Sequence, residues 1–437
     1  MKTFKIDTNL QDQMIAWRRD FHQFPETGWT EFRTASRIAS ELDKLGFQVQ
    51  VGKEVVSQEG RMGVPPDERL EFYYSQAQKN GGNLLYMEKM IGGYTGVVGT
   101  LKGKKPGPTI AFRFDMDALE IGESSESSHI PKQFGFRSQY EGNMHACGHD
   151  AHCAIGLGLA TALTNNLDQI EGTIKIIFQP AEEGVRGAKS MVEAGVVDDV
   201  DYFLGMHVGA GSPLGTLIAG TNGFLATTKI NAKFTGKAAH AGAEPEQGRN
   251  ALLAASSAIL GLHSIPRHSM GASRVNVGTC IAGDGRNIVP AHATLQLETR
   301  GENSEVHTYV HKQALAVLEG ASKMYETTLF YEVVGAAKTC SSSEKLFEIV
   351  AHAAKHVQEI KNIIPSSKFA AGSEDATYMM DKVQQQGGQA TYAVFGTTLA
   401  AGHHHEKFDI DEAVLSIALN TWLETIDQVY QNESRYQ

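Results

Sequence analysis

Near-continuous apolar runs recur along this 437-residue chain, and they constrain its fold more than any other feature. They are TGVVGTL (95–101), TIAFRFD (109–115), TIKIIFQ (173–179), DYFLGMHV (201–208) and ATYAVFG (390–396). Helical patterns, such as those at 152–164 and 185–194, separate several of them. Runs of this kind are typical of strands that are buried on both faces of a parallel sheet. We therefore predict an α/β fold with a helix-covered, largely parallel sheet.

A second pattern occupies residues 221–335. The segments TTKINAKFTG, SRVNVGTCIAG and ATLQLETR alternate apolar and polar residues there, as half-exposed antiparallel strands do. Two helical stretches, NALLAASSAILGLHS and SEVHTYVHKQALAVLEGASKMY, lie between or after these strands. The length of the chain also makes two domains the default expectation. We predict a small α+β domain at 221–335, inserted into a larger domain of residues 1–220 and 336–437.

Composition argues against several classes of protein. The net charge is −11 and no concentrated Lys/Arg run occurs, so a nucleic-acid partner is not expected. No window approaches about 18 uninterrupted apolar residues, and the first residues lack an apolar signal-peptide segment, so neither a membrane span nor secretion is expected. The four cysteines are sparse and scattered, unlike a disulfide framework. We therefore predict a cytoplasmic protein.

Carboxylates and imidazoles follow four of the predicted strands. The run TIAFRFD leads into Asp117, TIKIIFQ leads into Glu182 and Glu183, DYFLGMHV contains His207, and ATYAVFG is followed by GHHHEKFD. In open parallel sheets, ligands bind outside the carboxyl ends of the strands. We therefore expect these side chains to converge, together with those of HACGHDAHCA, which lies between two of the strands in sequence.

The segment HACGHDAHCA (145–154) admits three interpretations: a metal site, a redox pair or an ordinary helix start. Cys147 and His149 are separated by one residue on a predicted turn, and a thiolate beside an imidazole favours a borderline-soft ion such as zinc. A redox pair of Cys147 and Cys153 is the weaker hypothesis because the spacing is not CxxC. Two adjacent glutamates in QPAEEG allow one to bind metal while the other accepts a proton, although an isolated pair would usually be a solvated loop.

Eight short motifs, taken in their order along the chain, resemble those of a known family. DMDAL, HACGHDAHCA, FQPAEEG, MHVG, AAHAGAEPEQGRNAL, GRNIVP, GSEDA and HHEKFD are similar to motifs of the dinuclear-metal amidohydrolases that include bacterial hippurate hydrolases and plant auxin-conjugate hydrolases. The resemblance covers nearly the whole chain. It implies an α/β catalytic domain interrupted by a lid or dimerisation domain. It also implies two divalent metal ions per chain, manganese or zinc, and hydrolysis of an amide bond in a small molecule.

The same resemblance implies roles for individual residues. The expected metal ligands are Cys147, His149, Glu183, His207 and His404. The expected general base, which activates water, is Glu182. The expected substrate-binding residues of the inserted domain are His240, Asn287 and Arg300. A structural ion pair is the alternative for Arg300. The ligand of GHHHEKFD is expected four residues before the phenylalanine, at His404, whereas His403 and His405 have no assigned role, and His405 stands where the family has asparagine.

Residues 58–92 contain a helix-like stretch without recognisable chemistry, and we interpret them as a surface insertion or a partner-contact element. This segment and GHHHEKFD are not general features of the family. They resemble a bacterial subgroup in which related A and B subunits cleave an aromatic acyl-glutamate. The resemblance implies a complex with a B subunit, or a homodimer through the inserted domain. Arg186, Arg249 and Arg300 are candidates to line the pocket for a substrate with two carboxylates.

Two other functions stay open at this point. The first is hydrolysis of other N-acyl amino acids or short peptides. The second is a non-catalytic subunit that has kept the fold, although a degraded site would usually have lost some of the ligand residues.

Overall fold

An eight-stranded sheet organises the larger of two units into which the chain divides. The computed structural model describes residues 4–368 and 372–436. Of these, the larger unit contains 4–222, 340–368 and 375–436, and the smaller unit contains 223–339 and 372–374. The smaller unit extends beyond the predicted end at residue 335, because its last strand continues to Ala337.

The regular elements are as follows. In chain order, the strands are β1 (Gln48–Val51), β2 (Val97–Lys102), β3 (Lys105–Asp115), β4 (Glu171–Gln179), β5 (Tyr202–Val208), β6 (Thr216–Ile218), β7 (Thr221–Asn222), β8 (Ala226–Thr235), β9 (Ser273–Ala282), β10 (His292–Gly301), β11 (Thr328–Ala337), β12 (Asn362–Ile364), β13 (Ser367–Lys368) and β14 (Gln389–Phe395). The helices are α1 (Leu10–Gln23), α2 (Phe32–Lys44), α3 (Asp67–Lys79), α4 (Leu84–Met87), α5 (Ile130–Gln133), α6 (His149–Thr164), α7 (Ala188–Glu193), α8 (Ala251–His263), α9 (Ser304–Met324), α10 (Glu344–Ala354), α11 (Thr377–Gln385) and α12 (Ala413–Tyr436).

The sheet of the larger unit has the strand order β1-β2-β4-β3-β5-β14-β6-β12. Its central strands β4, β3, β5 and β14 are mutually parallel, and β6 is parallel to β12. The pairs β1–β2, β2–β4 and β14–β6 are antiparallel. The predicted α/β class is therefore confirmed, but the sheet is mixed rather than largely parallel. An apolar run reveals burial on both faces and does not reveal the direction of the neighbouring strand.

Helix α6 begins within the HACGHDAHCA segment, at His149, and packs against this sheet. It is buried along most of its length and packs on β3, α1 and α12. A helix that is apolar on all sides belongs inside a protein core, so its first residues are held firmly in place. Among the described residues, no helix is both long enough and apolar enough to cross a bilayer.

The smaller unit is an antiparallel sheet with helices on one face. Its strand order is β11-β8-β10-β9, with every neighbouring pair antiparallel. Alternate residues of the strands, such as Phe234 and Leu295, pack with Ala254 and Leu318 of the helices α8 and α9 into one core. The other face of the sheet is more exposed, as the alternating sequence pattern predicts.

The segment 58–92 folds as α3, α4 and their connecting turns. Both helices pack against α2. Large apolar side chains on this segment remain exposed, namely Phe72, Leu84, Leu85 and Ile91. The predicted helix-like stretch is therefore helical, and its outer surface is more apolar than a solvated insertion requires.

Candidate metal centre

The carboxyl ends of the parallel strands deliver the predicted chemistry to one edge of the sheet. Asp115 is the last residue of β3, and Gln179, which precedes the PAEEG segment, is the last residue of β4. His207 lies next to the end of β5. Because these strands are adjacent and parallel, the residues that follow them meet at the same edge.

Gly148 brings Cys147 and His149 to that edge. It precedes α6 with a φ of 96°, a left-handed conformation that favours glycine. A Cβ at this position would also lie 2.6 Å from Cγ2 of Val208. The chain therefore turns sharply between the two residues, and Cys147 is left half-buried while His149 is fully buried.

Two groups of possible metal ligands share the sulfur of Cys147. The first consists of Cys147, His149 and His207, and the second consists of Cys147, Glu183 and His404; within each group the ligand atoms lie within 4.8 Å of one another. Sγ of Cys147 is 3.4 Å from Nε2 of His207, and Nε2 of His404 is 3.4 Å from Oε1 of Glu183. The five residues expected to bind metal are thus brought together, in an arrangement that suits two neighbouring cations.

The imidazoles of His149 and His207 are oriented as those of metal ligands usually are. Nδ1 of His149 donates to the carbonyl oxygen of Asp117 at 2.8 Å, and Nδ1 of His207 donates to the carbonyl oxygen of Val208 at 2.7 Å. A hydrogen bond at Nδ1 fixes the tautomer whose Nε2 carries a lone pair. Nε2 of His149 is buried and has no hydrogen-bond partner among the described residues. A buried acceptor of this kind fits a bound cation.

Burial and the neighbouring residues shift the pKa values of three residues of the cluster. Burial raises the pKa of the Cys147 thiol, and the nearby Glu183 carboxylate raises it further. Hydrogen bonds to Cys147 and Glu183 raise the pKa of His404 to about 10. Burial alone would raise the pKa of Glu183, but the hydrogen bond from His404 and the charge of His149 lower it. A bound metal ion would replace a proton on His404 and would favour the thiolate form of Cys147.

Of the three consecutive histidines, only His404 joins the cluster within the described parts of the chain. Its φ is 63°, and its backbone N–H donates to the carbonyl oxygen of Ala146 at 2.8 Å, next to Cys147. Nε2 of His403 instead accepts the N–H of Ala210 at 3.1 Å. Nδ1 of His405 accepts the N–H of Lys407 at 3.0 Å, in an exposed position.

Glu182 and Glu183 lie on a turn of residues 181–188, here called the glutamate turn. The backbone N–H groups of the two glutamates donate to Oδ1 and Oδ2 of Asp117, each at 2.9 Å. At the first residue of the turn, Glu31 accepts the N–H of Ala181 at 2.8 Å. One carboxylate oxygen of Asp375 accepts the N–H groups of residues 187 and 188, each at 2.9 Å. Buried carboxylates therefore hold the backbone of this turn along its length.

Sequence patterns assigned no role to several of these supporting residues. Asp117 belongs to the motif DMDAL, but its clamp on the glutamate turn depends on contacts between strands that are distant in sequence. His152 resembles a ligand in the sequence, yet its Nδ1 contacts Asp115 and its Nε2 accepts the N–H of Val208 at 3.0 Å, so both ring nitrogens are occupied. Arg113 donates to the same Asp115 at 2.6 Å. The charged residues Arg113 and Asp115 in the otherwise apolar run TIAFRFD were the only sequence signal that could have indicated these supporting contacts.

The cysteines give no sign of a redox pair. All four are free, and Cys153 is buried in α6 with its Sγ 3.6 Å from the carbonyl oxygen of Asp115. Burial raises the pKa of the Cys153 thiol well above its usual value, which makes that thiol unreactive.

The predicted substrate-binding residues lie on the smaller unit. His240 and Asn287 are exposed, and their segments meet through the bridge of His240 with Ile288. Nδ1 of His240 accepts the N–H groups of residues 242 and 243 at 3.2 and 3.0 Å, so its remaining proton is on Nε2. Arg300 is half-exposed and forms an ion pair with Glu298 at 2.9 Å, which is the structural alternative foreseen for it.

Comparison with known proteins identifies relatives along nearly the whole chain. A family model described as Peptidase family M20/M25/M40 matches residues 111–428. The A subunit of the p-aminobenzoyl-glutamate hydrolase of Escherichia coli (strain K12) is 51% identical over 417 residues, which are 95% of this chain and 96% of that protein. The indole-3-acetyl-aspartic acid hydrolase of Enterobacter agglomerans is 50% identical over 412 residues, 94% of each protein. The crystal structure of an aminobenzoyl-glutamate utilization protein from Klebsiella pneumoniae matches with a TM-score of 0.83 at 44% identity and covers 96% of each chain.

Proposed function

The chain belongs to peptidase family M20/M25/M40, and from this premise we propose that it hydrolyses p-aminobenzoyl-glutamate to p-aminobenzoate and glutamate. The predicted relationship to amidohydrolases, and to their A-subunit subgroup, is confirmed by the 51% identity to the A subunit of a p-aminobenzoyl-glutamate hydrolase. That identity is the observation that carries the choice of substrate. The geometry of the larger unit supports the chemistry, because five ligand residues and a neighbouring carboxylate meet at one sheet edge.

Cys147, His149, Glu183, His207 and His404 are the residues that would hold two divalent ions, manganese or zinc. Sulfur ligation favours zinc by affinity, while the family resemblance favours manganese at least equally. Bound ions would supply Lewis acidity toward the amide carbonyl and lower the pKa of water. Measuring the metal content of the purified protein, and the activity restored to the chelated protein by each metal, distinguishes the two.

Glu182 acts as the general base. Its carboxylate takes a proton from the attacking water while the water oxygen bonds to the carbonyl carbon of the amide. When the carbon–nitrogen bond breaks, Glu182 returns the proton to the nitrogen, which leaves as the amine of glutamate. The adjacent residue Glu183 is hydrogen-bonded to His404 and serves as a metal ligand. One carboxylate therefore accepts the proton and the other binds metal.

The smaller unit contributes substrate binding. The tautomer of His240 leaves Nε2–H as a donor for a substrate oxygen, and the exposed amide of Asn287 offers a donor beside it. Arg300 would bind a substrate carboxylate only by exchanging its partner Glu298. We therefore assign the larger share of substrate binding in this unit to His240 and Asn287.

A second candidate substrate is indole-3-acetyl-aspartate. The hydrolase of that name from Enterobacter agglomerans is 50% identical to this chain, nearly the same as the first relative. Both compounds join an aromatic acid to an acidic amino acid through an amide, so one site chemistry serves both. They differ in the length of the amino acid and in the size of the ring.

The test is a substrate panel run on the purified chain with added manganese or zinc. It contains p-aminobenzoyl-glutamate, p-aminobenzoyl-aspartate, indole-3-acetyl-aspartate and indole-3-acetyl-glutamate. A kcat/KM highest for p-aminobenzoyl-glutamate is the expected result. A preference for both indole compounds would replace the first candidate by the second. Absence of turnover, both by the chain alone and in its mixture with a related B subunit, would favour a non-catalytic role instead.

The chain also offers surfaces for the expected contacts with other subunits. On the smaller unit, Leu260 of α8 is 72% exposed, and Ile281 of the edge strand β9 is 73% exposed. Exposed apolar residues and an open strand edge favour association, either as a homodimer or with a related B subunit. Light scattering of the chain alone and mixed with the B subunit separates the two. The four free cysteines accord with a cytoplasmic location.

A further inference from the structure

The glutamate turn is fastened by an arginine that performs no step of the proposed reaction. Nε of Arg186 donates to the carbonyl oxygen of Glu183 at 2.9 Å. Nη1 of the same side chain donates to the carbonyl oxygen of Gly63 at 3.1 Å. One guanidinium therefore joins the turn to the segment 58–92, for which the sequence offered no chemistry. Arg186 was expected to line the substrate pocket, but that role does not explain why Nε and Nη1 donate to backbone carbonyl oxygens.

The turn requires such support because its backbone is strained. Ala181, Gly184 and Val185 have φ values of 52°, 90° and 59°. A β-branched residue with positive φ is a genuine outlier, and such conformations persist only where surrounding contacts enforce them. The carboxylates of Glu31, Asp117 and Asp375 hold N–H groups of the turn, whereas Arg186 holds a carbonyl oxygen, that of Glu183.

Gly28 provides the surface on which the guanidinium lies. A Cβ at Gly28 would overlap Nη2 of Arg186 and would lie 3.0 Å from Cα of Ala181. The φ of Gly28 is outside the left-handed region, so its backbone accepts alanine. An alanine at this position would therefore push the guanidinium off the turn while leaving the arginine in the chain.

We propose that Arg186 is a positioning residue that holds Glu182 and Glu183 in place for the reaction and makes the segment 58–92 part of the catalytic apparatus. The contacts of Arg186 with Glu183 and Gly63 are the basis of this proposal. The predictions about kcat and KM rest on the proposed function, whereas the predictions about hydrogen exchange do not. A displacement of about 1 Å at a reacting group can lower the rate by about 100-fold. Loss of the arginine should therefore lower kcat more than it changes KM, because Glu182 acts in the transition state.

The test compares Arg186→Ala and Gly28→Ala with the matched control Arg137→Ala. Arg137 also donates to backbone carbonyls, those of Ser124 and Glu123, but it does not contact the glutamate turn. We expect Arg186→Ala to lower kcat by about 10- to 100-fold with KM within about threefold. Gly28→Ala should lower kcat in the same way, and the double variant should be no worse than Arg186→Ala alone, since both changes remove one contact. Added guanidinium ion should restore part of the activity to Arg186→Ala and none to Gly28→Ala, where the space stays filled.

Amide hydrogen exchange over residues 181–188 supplies a readout that needs no substrate. We expect faster exchange in Arg186→Ala and Gly28→Ala and unchanged exchange in Arg137→Ala. Unchanged exchange and an unchanged kcat in Arg186→Ala would overturn the proposal, as would additive losses in the double variant. If the unsubstituted chain hydrolyses none of the panel, exchange alone decides the role of Arg186, so failure of the proposed function stays distinguishable. If Arg186→Ala does not fold, Gly28→Ala carries the test.

Discussion

The predicted site residues of the two units differ in how firmly the protein holds them. In the larger unit, His149 and His207 are each fixed through Nδ1, and the amides of both glutamates are clamped by Asp117. In the smaller unit, His240 and Asn287 are exposed, and the ring of His240 is held through N–H groups two and three residues further along the chain. The candidate metal ligands His149 and His207 are therefore held in place before any ion binds, whereas the side chains proposed to bind substrate remain accessible to solvent.

The largest effect that this comparison predicts is at Glu182. Glu182→Gln keeps the size and fold of the site but cannot accept a proton, so we expect kcat to fall by about 1000-fold. Metal content, measured by mass spectrometry, should be unchanged because Glu182 is not among the expected ligands. Retention of more than about 5% of the wild-type kcat would exclude Glu182 as the base.

Next in size is the loss of the shared ligand. Loss of a residue that only supports a ligand weakens metal binding by about 10- to 100-fold, so Cys147→Ser should weaken it by more than about 100-fold. Activity should fall with metal occupancy and recover in part at high metal concentration. Cys153→Ala is the matched control, because that variant should keep full metal content. A Cys147→Ser protein with normal affinity for both ions would contradict the assignment of Cys147 as a metal ligand.

Substitutions in the smaller unit should have a smaller and different effect. Asn287→Ala removes the hydrogen bond proposed between Asn287 and substrate, and we expect kcat/KM to fall by about 10-fold with metal content unchanged. His240→Ala should lower kcat/KM further, since hydrogen bonds at Nδ1 fix the tautomer that presents Nε2–H as a donor. Loss of metal from either variant would show that the two sets of residues are not separable.

The last predicted effect concerns stability rather than catalysis, and it is a pH dependence in the larger unit. Burial would lower the pKa of His22, but hydrogen bonds with Asp150 and Glu123 raise it to about 9. A raised folded-state pKa stabilises the protein fully below the unfolded value of about 6.5, and this stabilisation is lost as the pH rises to about 9. The free energy of unfolding should therefore fall over that window by at most about 1.4 kcal/mol per pH unit relative to His22→Gln. The exposed His352→Gln should follow the wild-type curve; coincidence of His22→Gln with the wild type would contradict the assignment.

Much of the catalytic region could be predicted from the sequence because its signals are local. Apolar runs marked the central strands, and ordered motifs marked Cys147 and Glu183 as neighbours in space. The direction of the outer strands could not be predicted, since burial alone does not specify it. The clamps by Asp117 and Arg186 were also missed, because both depend on backbone carbonyls and amides that any residue type provides. Local sequence patterns therefore identify the candidate reactive residues, whereas the residues that hold them in position are defined only by tertiary contacts.

The position of β14 in the sheet has a consequence for the order of synthesis. This strand lies between β5 and β6, yet it is translated after the entire smaller unit. A ribosome that has released residues 4–340 has therefore produced a sheet with an open gap, while the smaller unit is already nearly complete. Such late pairing of distant strands slows folding and exposes strand edges to aggregation. His404 follows β14 by only a few residues, so the last ligand of the candidate metal centre reaches the ribosome exit after the other four.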